Sequence, residues 1–249
     1  MRLVIVPAEE FGRGSLAALR ELLAGVETPV IALPTGNTPV SLYEEMVGQQ
    51  YTFAPGVRLF ALDEYFYPRA HSGTNAAFFD RHLPPGQFPP IARAPFDAEN
   101  PGAEIGRVCQ DLRQAGGLDL VVLGIGVNGH LGFNEPGSTL ESPCRVVELA
   151  AETQSQVAGH WQPTPTRGVT LGMDELLAAR SVLLLANGMG KAAILAAALN
   201  GPETPGVPAS FLQRHPGVVV VCDTAAAAAL SAVRQRATPT GRQRSRFKF

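Results

Sequence analysis

The feature that most constrains this chain is a repeated exchange between short apolar, β-branched runs and longer stretches of helical periodicity. The runs fall at Leu3 to Val6, Val30 to Leu33, Val57 to Leu62, Leu118 to Leu123, Val182 to Ala186 and Val218 to Cys222. Continuous apolar runs of this length read as parallel strands covered on both faces, with the intervening segments as the cover. From Ser15 to Leu23, the residues Leu16, Leu19, Leu22 and Leu23 share one helical face, and Leu42, Tyr43 and Met46 do the same between Val40 and Val47. Ala103 to Gln114 reads as a helix leading into the fourth run, and an alanine-rich helix starts at Lys191. The pattern predicts an α/β fold, an open three-layer sandwich with a mostly parallel sheet and helices on both faces.

Proline-rich stretches at Pro84 to Pro95, Pro101, Pro163 to Pro165 and Pro202 to Pro208 mark loops, and none has the look of an interdomain linker. With 249 residues, 45% of them hydrophobic, the chain has material for one large core, so residues 1–236 are expected to form a single domain. The run Ala225 to Ala229 is a good helix former. Residues 237–249, with Arg242, Arg244, Arg246 and Lys248, read as a solvated, flexible basic tail.

A formal net charge of -2 gives no global pull toward nucleic acid or acidic membranes. Cys109, Cys144 and Cys222 are scattered, show no metal-ligand spacing and suit a reduced interior. The apolar start Leu3-Val4-Ile5-Val6-Pro7 is too short for a signal-peptide core or a bilayer span, which makes the cytoplasm the expected location. Lysine occurs only at 191 and 248, so an internal lysine carries more information than it would elsewhere.

In open α/β sheets ligands sit beyond the carboxyl ends of the strands, and four such loops carry unusual chemistry. The second run ends in Leu33-Pro34-Thr35-Gly36-Asn37-Thr38-Pro39. Gly36 and Asn37 tolerate positive φ, and helix N-terminal amides with the Thr35 and Thr38 hydroxyls can cradle an anion, although a plain capped turn explains the same residues. No Gly-Lys-Ser/Thr follows, so this is not a Walker loop. The third run ends in Leu62-Asp63-Glu64-Tyr65. If the strand continues, the two carboxylates point to opposite sides, one toward a cleft as a candidate base (Asp63) and one structural.

The fourth run delivers Gly124-Ile125-Gly126-Val127-Asn128-Gly129-His130-Leu131-Gly132-Phe133-Asn134-Glu135-Pro136. Its first six residues satisfy G-x-G-x-x-G, but a dinucleotide site needs that motif to open a helix, and Gly129, Gly132 and Pro136 keep the segment irregular. A loop presenting His130, Asn134 and Glu135 fits acid/base work better. The fifth run leads through Asn187-Gly188-Met189-Gly190 to Lys191 at a helix start, where the dipole disfavours a cation unless an anionic ligand is held there.

Together these loops resemble the glucosamine-6-phosphate deaminase family, also called glucosamine-6-phosphate isomerase. The matching segments are LPTGNTP (Leu33 to Pro39), LDEY (Leu62 to Tyr65), LGIGVNGHLGFNEP (Leu123 to Pro136), Lys191 after its strand, and VPASFL (Val207 to Leu212), in order from about residue 30 to about 223. The resemblance implies that Thr35, Gly36, Asn37, Thr38, Gly124 and Lys191 bind the sugar phosphate. It implies that Asp63 moves a proton between C2 and C1, and that His130, oriented by Glu135 and supported by Asn128, helps open the pyranose ring. No metal or organic cofactor is then required: water hydrolyses the C2 imine, releasing ammonia and fructose 6-phosphate. The expected partner is a small sugar phosphate, glucosamine 6-phosphate first, taken by a monomer or a homo-oligomer.

Two departures from the family stand out. Asn128 occupies a place where some members carry aspartate, and an amide orients an imidazole without stabilising its cation. Counting on from Glu135-Pro136, the family's phosphate-clamping arginine falls on Gly159. Arg167 is the expected replacement, with His160 the weaker one. Two other functions compete. A 6-phosphogluconolactonase shares the fold and a GHxxS-type loop but has no need of the glutamate in Phe133-Asn134-Glu135-Pro136. The sugar-phosphate sensors of transcription regulators carry an added helix-turn-helix, for which a chain opening on a strand at Leu3 leaves no room.

Overall fold

Alternate residues of each central strand feed two different cores. In the computed structural model, which describes residues 1–66, 73–92, 101–157 and 164–230, the strands are β1 (Arg2–Val6), β2 (Val30–Leu33), β3 (Arg58–Ala61), β4 (Asp63–Tyr65), β5 (Ile91–Ala92), β6 (Leu120–Gly124), β7 (Arg145–Glu148), β8 (Arg167–Thr170), β9 (Ser181–Ala186) and β10 (Val218–Asp223). The α-helices are α1 (Phe11–Leu22), α2 (Val40–Gly48), α3 (Asn75–His82), α4 (Pro101–Gln114), α5 (Ala151–Val157), α6 (Met173–Ala178) and α7 (Ala192–Asn200). Val121, Leu123, Val182, Leu184, Val218 and Val220 pack with α4, α6 and α7, while Leu120, Val122, Leu183, Leu185, Val219 and Val221 pack with α1, α2 and α3. The period of two in the strands thus divides one apolar run between two layers of helices.

Seven strands form one parallel sheet in the order β1-β10-β9-β6-β2-β3-β5. From β2 the chain steps outward to β3 and β5; from β6 it steps the other way to β9 and β10. The direction reverses between β2 and β6, and the crevice beyond the carboxyl ends of that pair is where such a sheet takes its ligand. A second, antiparallel sheet, β4-β8-β7, grows from the end of β3 at Leu62. It is spliced to the main sheet by hydrogen bonds from the Leu62 N–H to Leu33 O (3.1 Å) and from the Leu171 N–H to Leu62 O (2.8 Å).

The expected sandwich is present, with its six apolar runs as strands of the main sheet. The seventh strand, β5, lies inside the stretch read as a proline-rich loop. Ala225 to Ala229 forms turns and not a helix; Asp223 Oδ1 accepts the Ala226 N–H (2.7 Å) and Asp223 O the Ala227 N–H (3.0 Å) at their start, and the run is not continued as a helix. Gly159, His160 and the basic tail at 237–249 lie outside the described residues. No helix is long and apolar enough to cross a membrane among the described residues.

Candidate active site

Four loops meet at the reversal point. After β2, the segment 34–39 is tied to α2 by the Tyr43 hydroxyl, which donates to Pro34 O at 2.7 Å. Gly36 takes φ +90°, and Pro39 is the N-cap of α2, so the loop ends where the helix amides begin. Gly36 and Asn37 are exposed and Thr35 and Thr38 half-buried, a surface open to an anion. The Thr38 side chain lies against the backbone of Gly124 at the end of β6: a Cβ at Gly124 would stand 3.8 Å from Thr38 Cβ.

The loop after β6 is held by its glycines. Gly126 and His130 close a turn through the Gly126 N–H to His130 O bond (3.0 Å), and Gly129 sits at φ +87°. The His130 imidazole lies directly on Gly126, where an added Cβ would meet the ring at 2.3 Å. His130 Nδ1 stands 3.3 Å from Glu135 Oε2, an ion-pair distance without the alignment of a hydrogen bond. Asn128 bridges the two, its Nδ2 donating to Glu135 Oε2 (3.0 Å) and its Oδ1 accepting the His130 N–H (3.2 Å). Thr153 of α5 donates a short hydrogen bond to Glu135 Oε1. Burial opposes the Glu135 anion, but His130, the Thr153 hydroxyl and the Asn128 amide outweigh it, and the carboxyl is held at about 2. Glu135 is therefore a permanent negative charge beside the imidazole.

Asp63 and Glu64 face opposite ways on β4, as the strand period requires. Glu64, 4% exposed, accepts the N–H groups of Tyr65, Asn75 and Ala76 and seats the start of α3. Asp63 faces the β6 loop, and a Cβ at Gly132 would come within 3.1 Å of its Oδ2. Burial raises the Asp63 pKa, and the neighbouring Glu64 charge raises it further; the Asn75 hydrogen bond lowers it, leaving it at about 7. A base titrating there exchanges protons readily near neutrality.

Lys191 ends a short 3-10 turn (Met189–Lys191) and is the N-cap of α7. It is half-buried, burial pulls its pKa down, and it has no ion-pair partner among the described residues. Its loop is pinned by buried Asp223, whose Oδ2 accepts the Gly188 N–H (2.9 Å). One turn into α7, Ile194 packs on Gly129, joining the lysine's helix to the histidine's loop. Arg167 lies at the far end of β8, its Nε 3.1 Å from Glu148 Oε1 and its guanidinium 4.8 Å over the Phe66 ring.

The structure thus gathers the 34–39 loop, Asp63, Gly124, Asn128, His130 and Glu135, and gives Arg167 partners of its own. Sequence reasoning missed Asn75, Thr153, Thr170 and Asp223. Thr170 Oγ1 accepts the Phe133 N–H (3.2 Å) and so fixes the β6 loop to the small sheet. The G-x-G-x-x-G run opens no helix, the next one being α5 at Ala151, so it lacks the helix terminus a dinucleotide pyrophosphate needs. Among the described residues no cluster of His, Cys, Asp and Glu has the makings of a metal site.

Residues 8–221 match the family model described as glucosamine-6-phosphate isomerases/6-phosphogluconolactonase. The chain belongs to this family. It is 36% identical to a glucosamine-6-phosphate deaminase of Cutibacterium acnes over 243 residues, covering 92% of each chain. It is 36% identical over 247 residues to one of Rhodopirellula baltica, covering 91% of this chain and 94% of that one. The solved structure of a monomeric glucosamine-6-phosphate deaminase superposes with a TM-score of 0.84 at 27% identity, covering 92% of this chain and all of the other. A 6-phosphogluconolactonase from Thermotoga maritima shares the fold at a TM-score of 0.70 and 20% identity, covering 90% of this chain.

Proposed function

We propose that the protein converts glucosamine 6-phosphate and water to fructose 6-phosphate and ammonia. The observation that carries this reading is Glu135 held against His130 within Phe133-Asn134-Glu135-Pro136, since lactone hydrolysis has no use for that carboxylate. The phosphate sits on the 34–39 loop and the α2 N-terminus, with Thr35, Gly36, Asn37 and Thr38, beside Gly124, and with Lys191 as its cation. A phosphorylated substrate does not cross a bilayer unaided, which fits a cytoplasmic enzyme.

His130, fixed by Gly126, Asn128 and the Glu135 anion, shuttles the proton between the anomeric hydroxyl and the ring oxygen, and the C1–O5 bond opens to the aldehyde. The Asp63 carboxylate then takes the C2 proton, giving an enolamine, and the same oxygen returns a proton to C1. The C2 imine that results adds water and expels ammonia, leaving the C2 ketone. Asp63 starts and ends ionised, so the cycle balances without another base.

One lysine leaves much of the phosphate charge uncompensated, and Arg167 is the second cation in this reading. Releasing it costs an exposed ion pair and an exposed stack, each about 0.5–1 kcal/mol, against about 1.5–3 kcal/mol for a hydrogen bond to a charged group. The balance favours recruitment by about 1 kcal/mol.

The test is a paired assay of the purified protein. Glucosamine 6-phosphate should yield ammonia and fructose 6-phosphate in equal amounts, and 6-phosphogluconolactone should hydrolyse no faster than in buffer. Lactone hydrolysis without ammonia release would replace this reading with the lactonase one.

A further inference from the structure

We infer that Asn75 is a positioning residue for Asp63, tying down one carboxylate oxygen so that the other alone faces the substrate. The inference rests on the deaminase reading for the work Asp63 does. Asn75 is the first residue of α3 and is buried, 3% exposed. Its Nδ2 donates both to Asp63 Oδ1 (2.6 Å) and to the Asp63 main-chain O (2.8 Å), a two-point clasp that fixes the carboxylate's rotation relative to its own backbone. Among the described residues, no other side chain hydrogen-bonds this carboxylate. Oδ2 is left toward Gly132, whose missing Cβ keeps that side open.

The clasp is itself seated by the neighbouring acid. Glu64 Oε1 accepts the Asn75 N–H (2.8 Å) and Oε2 the Ala76 N–H (3.0 Å), while Thr74 Oγ1 accepts the Ala77 N–H (3.2 Å). One carboxylate of the pair therefore anchors the helix whose first side chain orients the other. A single oxygen that takes a proton from C2 and returns one to C1 has to stay aligned with both carbons, and a carboxylate free to rotate would lose that alignment.

The clasp also bears on charge. The charged and titratable groups around Asp63 are Glu64, adjacent on its strand but pointing the other way, the phenols of Tyr43 on α2 and Tyr65 on β4, and the Cys144 thiol and Thr170 hydroxyl across a small cavity. None supplies a positive charge, and Glu64 disfavours a second anion. The Asn75 donor is the contact that favours ionised Asp63.

Asn75→Leu removes the donor at similar volume, and Asn75→Asp replaces it with a second carboxylate; both keep the main-chain N–H that Glu64 holds. The acid limb of kcat/KM should move up by about 1–2 pH units in Asn75→Leu, the worth of a hydrogen bond to a charged group, and further in Asn75→Asp. At pH 7 kcat should fall ~10-fold or more with KM little changed. The Asp63 carboxyl, followed without substrate by carbon-13 NMR and assigned with Asp63→Asn, should titrate higher by the same amount. Lost alignment should in addition lower kcat on the alkaline plateau, whereas wild-type kcat on that plateau, or an Asp63 titration that matches wild type, would overturn the inference. Wild-type protein that releases no ammonia from hexosamine 6-phosphates would defeat the deaminase reading instead, and the substrate-free titration would still decide the role of Asn75.

Discussion

Asp63 and Glu64 are adjacent on β4 and do unlike work: Glu64 is buried and holds three backbone N–H groups, whereas Asp63 keeps Oδ2 toward Gly132 and titrates at about 7. Asp63→Asn keeps the shape and the contact with Asn75 and removes the base, so turnover should fall ~100-fold to ~10,000-fold. The raised pKa also fixes a sign in stability. Between pH 4 and 7 the native state holds a proton that the unfolded chain has lost, so this group lowers stability as pH rises, and Asp63→Asn should melt higher than wild type at pH 8, by roughly 1–2 kcal/mol. Thermal unfolding at pH 5 and pH 8 checks the sign.

Glu135 has the opposite linkage. Its pKa lies at about 2 against an ordinary 4.5, so its contribution is complete above pH 4.5 and lost as pH falls toward 2. Glu135→Gln should therefore be less stable than wild type at pH 7 by roughly 2 kcal/mol, with the gap closing in acid. Denaturant unfolding at pH 7 and pH 3 measures it.

His130 has a ring-opening task, so His130→Gln should slow ammonia release from the cyclic sugar more than it slows exchange of the C2 proton in the open-chain form. Equal losses would assign the histidine another step. Gly126→Ala tests the same geometry from below. The added methyl would meet the imidazole at 2.3 Å, and displacing the ring by about 1 Å should cost ~100-fold in kcat/KM.

Lys191 and Arg167 separate in KM. Lys191→Gln removes a half-buried cation that has no ion-pair partner among the described residues and should raise KM ~10-fold to ~150-fold. Arg167→Ala should raise it only ~5-fold, because recruiting that arginine first breaks its contacts with Glu148 and Phe66. An unchanged KM in Arg167→Ala would confine the residue to the small sheet.

The main sheet was legible because its strands are buried on both faces, and runs such as Leu183-Leu184-Leu185 can hardly be anything else. The small sheet was not. Arg145–Glu148 and Arg167–Thr170 are short, partly charged and paired only through tertiary contact, and at the edge of the main sheet the two-residue β5 was missed for its shortness. The site divides the same way. Asp63, His130 and Glu135 sit in loops whose composition is odd for plain turns, and the opposed directions of Asp63 and Glu64 follow from strand geometry. Asn75 and Thr153 carry no such signal, since each is a common helix-start residue 12 and 18 positions from its carboxylate partner. At Ala225 to Ala229 the alanine run forms turns, so propensity alone did not decide its structure.

The most direct test of the account is the fate of the C2 hydrogen of glucosamine 6-phosphate in deuterium oxide, followed by proton NMR alongside ammonia release. Wild-type protein should consume the C2–H signal as fructose 6-phosphate and ammonia appear, and Asp63→Asn should leave both the signal and the amine in place over the same period. Loss of C2–H at a near-wild-type rate in Asp63→Asn would contradict the assignment of Asp63 as the base.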